Sequence, residues 1–240
     1  MFRSAFATLA LFVLVSSAHA STITDVVFAI DASGSIGSTH FQGEKTFVEG
    51  LLTAGLPATT EVGAFTWSTN HYNLIDPLVP VSTSGLVNTI ANAGYVSQSS
   101  YMKNALQNGI DILTAGPSGD NKLLVLLTDG PPNPVSQSPC SLVNTLAADH
   151  ITLFVVDVAN VEGLSTEACL AADPNMSNFF TDKDLATQAI INFAAPPAQT
   201  PSVPEPGTVA LSTSAMLTLM VFMRRSGIGQ SRRTSPSART

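Results

Sequence analysis

Two unbroken apolar runs, each ending in an aspartate, restrict the architecture of this chain more than any other feature. Val26-Val27-Phe28-Ala29-Ile30 leads into Asp31-Ala32-Ser33-Gly34-Ser35, and Leu123-Leu124-Val125-Leu126-Leu127 leads into Thr128-Asp129-Gly130. A strand with one wet face alternates polar and apolar residues. One that does not alternate is covered on both faces, as in a parallel sheet with helices on each side. Such open sheets bind ligands beyond the carboxyl ends of their strands, where both aspartates are expected to stand. Gly34 lets the backbone turn sharply, and Ser33 and Ser35 then point back toward the Asp31 carboxylate. Two carboxylates at adjoining strand ends repel each other unless a cation sits between them, so the pair argues for metal better than either does alone.

The rest of the chain alternates strand and helix. Strands are expected at Ile23 to Ile30, Glu61 to Trp67, Lys122 to Thr128, Ile151 to Val158 and Asn178 to Phe180, with His71 to Ile75 as a short edge partner. Helices are expected at His40 to Leu52, Ser84 to Asn92, Met102 to Leu113, Ser141 to Ala148, Gly163 to Ala172 and Asp182 to Phe193. Phe41, Val48, Leu51 and Leu52 form the inner face of the first helix. This order predicts an α/β fold: an open, mostly parallel, doubly wound sheet flanked by helices in a single domain. No internal repeat is evident.

The stretch from Asp25 to Gly37, with Asp31-x-Ser33-Gly34-Ser35 inside it, resembles the first motif of the von Willebrand factor type A domain, and the likeness extends over roughly Ile23 to Ala194. The resemblance implies a Rossmann-like fold and a metal-ion-dependent adhesion site whose oxygen donors come from three separated segments. Asp31, Ser33 and Ser35 match the first segment and Asp129 the second. The third usually carries a threonine five residues before an Ala-Leu pair that starts a helix, and counting back from Ala105-Leu106 lands on Ser100. The preceding loop lacks the family's double glycine, which keeps Ser97 and Ser99 as alternative donors. Hydroxyl and carboxylate donors without sulfur or imidazole favour Mg²⁺, with Mn²⁺ or Ca²⁺ as substitutes. In the family one coordination position stays open for a carboxylate from a protein or matrix partner, which implies a binding module rather than an enzyme. A metal-stabilised structural envelope protein is an alternative. So is a hydrolase using Ser33 or Ser35, or a phosphotransferase using Asp31, although no Gly-x-Ser-x-Gly elbow is present.

The ends read as targeting signals. Residues 1–20 have Arg3, an apolar stretch from Ala5 to Val15 and Ala18-His19-Ala20, the pattern of a secretory signal peptide. Residues 21–195 are assigned to the type A domain, and 196–207 to a proline-rich linker. That linker ends in Pro204-Glu205-Pro206, followed by a hydrophobic segment with an arginine stop (208–225) and a basic polar tail (226–240). This order resembles the PEP-CTERM sorting signal of Gram-negative bacteria. It implies processing by an exosortase-type membrane enzyme and a protein exported to the cell surface, outer membrane or extracellular matrix. Residues 208–223 would make transient or permanent membrane contact. As a helix they reach about 24 Å, short of the roughly 30 Å hydrocarbon core, which suits a transient anchor.

Every arginine is either Arg3 or lies from Arg224 onward; between Ser21 and Val203 sixteen Asp and Glu face four Lys, a net charge of −12. An acidic, arginine-free domain is a poor partner for nucleic acid. Both cysteines, Cys140 and Cys169, fall in this part, and an oxidising compartment makes their pairing the default. Asp157 is expected to be a solvated or capping carboxylate. His40, His71 and His150 lack metal-ligand spacing and are read as surface or helix-start residues. Trp67 is expected near the metal face, either shaping a binding surface or half buried for structural reasons.

Overall fold

In the computed structural model, which describes residues 23–116, 121–157, 169 and 177–195, the first apolar run is strand β1 (Thr24–Asp31), buried along its whole length. Successive side chains of a strand point to opposite faces, so this run feeds two cores. Val26, Phe28 and Ile30 enter one, and Val27 and Ala29 enter the other. Burying each of the larger of these side chains contributes roughly 1.5–3 kcal/mol, which is why no polar residue interrupts the run.

Five more strands complete the sheet: β2 (Thr60–Trp67), β3 (His71–Pro80), β4 (Asn121–Thr128), β5 (Ile151–Asp157) and β6 (Ser177–Phe180). Their order is β3-β2-β1-β4-β5-β6, with β3 antiparallel to β2 and every other neighbouring pair parallel. β1 lies between β2 and β4, with Asp31 opposite Trp67 and Ala29 opposite Leu126. The two aspartate-bearing exits are therefore adjacent and face the same way.

Helix α1 (Gly37–Gly50), α2 (Leu86–Ala91) and α5 (Lys183–Ala194) cover the Phe28 face. The other face is covered by α3 (Met102–Ala115) and α4 (Val143–Ala148). α5 starts where Asp182 accepts hydrogen bonds from the amides of Asp184 and Leu185, satisfying donors that the first helical turn leaves unpaired.

The predicted class holds: a single α/β domain with a mostly parallel sheet flanked by helices. Local boundaries differ. The edge strand runs to Pro80 rather than Ile75, because an edge position tolerates the missing amide hydrogens of Pro77 and Pro80. α1 begins three residues before His40 and passes at Leu51–Gly55 into a wider π turn. A 3₁₀ turn, Pro139–Leu142, takes the first part of the helix expected from Ser141. Of the helix expected at 163–172, only Cys169 lies within the described residues. The signal segment, Pro204-Glu205-Pro206 and residues 208–223 also lie outside them. Among the described residues no helix is long and apolar enough to cross a membrane.

Cys140 and Cys169 are joined by a disulfide with Cα atoms 5.6 Å apart. The bridge ties the 3₁₀ turn after the Asp129 loop to a residue packed against the α3 and α4 core. With 29 residues of separation, chain-entropy reasoning assigns it about 3.5 kcal/mol of stability. Cys140→Ser is expected to lower the unfolding free energy by about that amount. In denaturant titrations its transition should coincide with that of the reduced wild-type protein; equal stability with and without reductant would contradict this.

Candidate metal centre

The three sequence segments converge at the carboxyl ends of β1 and β4. Asp31 closes β1 with no solvent exposure, and its Oδ1 accepts the Ser33 amide at 2.7 Å. Ser33 Oγ lies 3.0 Å from Ser35 Oγ. Ser35 Oγ donates to Asp129 Oδ1 at 3.0 Å and stands 3.4 Å from Ser100 Oγ. Among the three loop serines weighed from sequence, Ser100 is the one that joins this cluster. It is buried, whereas Ser97 and Ser99 are exposed. An open cleft of about 730 Å³ lies over the cluster, lined in part by Ser35, Gln98, Ser100, Asp129 and Asn133.

The loop before α3 reaches this position because its backbone is sewn to the first motif. Gly34 donates to the Gln98 carbonyl at 2.6 Å, and the Ser97 amide donates to the Ala32 carbonyl at 2.9 Å. Ser97 holds φ at 59°, a left-handed turn that bends the loop back. Tyr101 donates to the Ser68 carbonyl at 3.0 Å, and Asn133 donates to the Ser100 carbonyl at 3.0 Å. The three segments are thus braced against one another by main-chain bonds.

Two side chains that the sequence reading left unassigned complete the centre. Thr128 donates to Asp31 Oδ2 at 3.2 Å and so bridges the two acidic segments. Glu44, fully buried on α1, accepts the Asp31 amide on Oε2 at 2.7 Å, while its Oε1 has no hydrogen-bond partner. Its position was readable: Glu44 falls between Phe41 and Val48 at helical spacing, on the inward stripe. Its contact with Asp31 was not. Next to it, buried Lys45 donates to the carbonyls of Ala91 at 2.7 Å and Ala93 at 3.2 Å, anchoring the start of the Ser100 loop.

The electrostatics are strained. Burial pushes the Asp31 carboxyl up to about 7, with Asp129 adding to the rise and hydrogen bonds from Ser33 and Thr128 opposing it. Burial likewise holds Glu44 well above its ordinary range, with Asp31's charge adding to the shift. Asp129 is raised by partial burial and by Asp157, against the Ser35 hydrogen bond and His40. Of the solvated or capping roles expected for Asp157, burial excludes the solvated one. Asp157 is buried, in register with Thr128, and part of the same negative field. Trp67 is fully buried in the α3-side core and offers nothing to a binding surface. His40, His71 and His150 are exposed.

Among the described residues no three His, Cys, Asp or Glu side chains group as a metal site, so any cation here depends on the hydroxyls. The spacing suits one. Neighbouring ligands of an octahedral ion with bonds of about 2.0–2.1 Å are roughly 2.9 Å apart, close to the 3.0 Å separations from Ser35 to Ser33 and to Asp129. All-oxygen donors and two carboxylates are what a hard divalent cation takes.

In comparison with known protein families, residues 25–193 match the von Willebrand factor type A domain. The chain belongs to this family. It is 30% identical over 129 residues to the mouse "Sushi, von Willebrand factor type A, EGF and pentraxin domain-containing protein 1", covering 48% of this chain and 4% of that protein. To the mouse collagen alpha-4(VI) chain it is 26% identical over 175 residues, 68% of this chain and 7% of that one. The type A domain thus spans a small part of these relatives. Among solved structures, manganese-loaded TRAP protein of Plasmodium vivax superposes with a TM-score of 0.56 at 17% identity, over 73% of this chain and 74% of that one. Proximal thread matrix protein 1 of the mussel byssus, with a zinc-occupied MIDAS motif, gives 0.54 at 17% identity over 72% and 46%. The pilus adhesin SpaC of Lactobacillus rhamnosus GG gives 0.55 at 16% over 72% and 30%. At such identities the structural likeness speaks for the fold.

The raised carboxyl of this type A domain sets the sign of its pH dependence. Folded Asp31 holds its proton up to about pH 7, whereas an unfolded aspartate releases it near 3.8. The folded state binds more protons between these values, so stability falls as pH rises through that window and the loss is complete above 7. In EDTA, the thermal midpoint is expected to drop from pH 5 to pH 8. Asp31→Asn, neutral throughout, should flatten that drop, and an undiminished drop in this variant would refute the assignment.

Proposed function

We propose that this exported type A domain is a non-enzymatic binding module that takes its partner through a divalent cation held by Asp31, Ser33, Ser35, Ser100 and Asp129. The observation that carries this reading is the meeting of Ser33, Ser35, Ser100 and Asp129 from three segments in one cluster at an open cleft, with Asp31 tied to it through the Ser33 amide. Asp31 and Asp129 supply the charge, and the serines supply neutral oxygens that fill the shell without adding repulsion. Mg²⁺, or Mn²⁺ or Ca²⁺ in its place, supplies the positive charge that offsets the cost of drawing a partner's carboxylate out of water. Ser33 and Ser35 bond to each other, and Ser35 also to Ser100 and Asp129, with no histidine among their partners in the described residues. This supports coordination over nucleophilic attack.

Sequence patterns near both ends, together with the disulfide, support an extracellular place of action. The amino-terminal signal pattern, the Pro204-Glu205-Pro206 sorting motif and the apolar segment at 208–223 support export, recognition by an exosortase-type enzyme, and display at the surface or in the matrix of a Gram-negative bacterium. A protein or matrix component offering a carboxylate is the partner class this supports.

Calorimetric titration of the protein with Mg²⁺ is expected to give one site, abolished by Asp31→Ala. Ser100→Ala should weaken the ion about tenfold, the loss of one oxygen donor, while Ser97→Ala and Ser99→Ala leave it unchanged. Absence of binding by the wild-type protein, or equal effects of the three serine substitutions, would defeat the reading.

A further inference from the structure

Beside the metal cleft lies a second one, of about 530 Å³, that none of the assigned residues lines. One wall is a stripe on α3: Asn104, Gln107, Asn108 and Asp111 recur at helical spacing, on one face. The opposite wall is the turn between β2 and β3, with Asn70 and His71. The side chains are pre-oriented. Gln107 donates to Asp111 at 2.8 Å, and buried Asn108 donates to Asn73 at 3.1 Å, itself held by a 2.6 Å bond to Asp76.

The chemistry of this lining selects its ligand. No apolar side chain lines the cleft, which disfavours a lipid or a side-chain pocket for a peptide. An anion would meet Asp111 with no lysine or arginine to balance it. Carboxamides that both donate and accept, next to a carboxylate that accepts, match vicinal hydroxyls, each of which does both. The volume lies within the usual range for small-ligand sites.

Buried Ser68 links a residue of one cleft to a residue of the other. It is hydrogen-bonded on one side to Gln98, which lines the metal cleft, and on the other to Asn70, which lines this one.

We propose that the cleft between α3 and the β2–β3 turn is a subsite for a neutral, hydroxyl-rich sugar, and that the partner is a glycan whose carboxylate-bearing unit sits at the neighbouring cation. The second half rests on the metal-dependent reading above; the first does not. The net charge of −12 between Ser21 and Val203 repels a densely anionic polymer, so the partner carries isolated uronate units among neutral sugars.

Calorimetry with a hexuronate-containing trisaccharide, a neutral hexose disaccharide and a glutamate-containing peptide tests this, each in Mg²⁺ and in EDTA. The trisaccharide is expected to bind in Mg²⁺. Gln107→Ala and Asn104→Ala, both at exposed positions, should weaken it about tenfold without changing Mg²⁺ affinity. The disaccharide should bind weakly in either buffer and be lost in the same variants. If the disaccharide behaves so while Mg²⁺ does not bind, the sugar subsite stands and the cation reading falls. If the substitutions leave the trisaccharide unaffected, or if the peptide binds and neither sugar does, the proposal is overturned.

Discussion

Two carboxylates held close together inside a rigid sheet are the constraint on which the rest of this molecule depends. Asp31 ends the central strand β1, and Asp129 follows directly from its neighbour β4, so neither can swing away without breaking the sheet. Both cores work to keep them there, because β1 is buried on each face by residues that cannot be repacked independently. Thr128 donates to Asp31 and Ser35 donates to Asp129, and each bond offsets part of the cost of holding its carboxylate there. Burial, with a smaller contribution from Asp129, raises the Asp31 carboxyl. A domain that keeps such a conflict at its binding end gives up stability for function.

The third segment is where rigidity matters most, since it has no strand of its own. Its register comes from a short parallel bridge between Ser33 and Gln98, from Tyr101 on Ser68, and from Lys45 at the end of α2. The Asp129 loop is braced in turn through Asn133 on the Ser100 carbonyl, and the disulfide at Cys140 anchors its far end. Each brace removes a freedom that binding would otherwise have to suppress, so the cluster is largely pre-organised.

Several features were legible before any coordinates. Uninterrupted apolar runs announced covered strands, and the alternation of elements announced a doubly wound sheet. Asp31, Ser33, Ser35 and Asp129 could be named because each sits at a fixed offset from a strand end. Errors arose where neighbours in space decide. The edge strand was cut short at Ile75, since proline looks like a breaker until its position at the sheet edge is known. Asp157, read as a solvated or capping carboxylate, is buried. Trp67, read as either shaping a binding surface or half buried for structural reasons, is fully buried in the core on the α3 side of the sheet.

By itself, the sequence determined the class of fold, the two acidic strand exits and the first-motif serines, because all of these are written in local periodicity and short spacing. Only the tertiary structure chose Ser100 from three serines, placed Glu44 under Asp31, and set the amide stripe of α3 across from the β2–β3 turn. Those outcomes join residues far apart in the chain. Side-chain periodicity says which face a residue occupies, and packing alone says what that face meets.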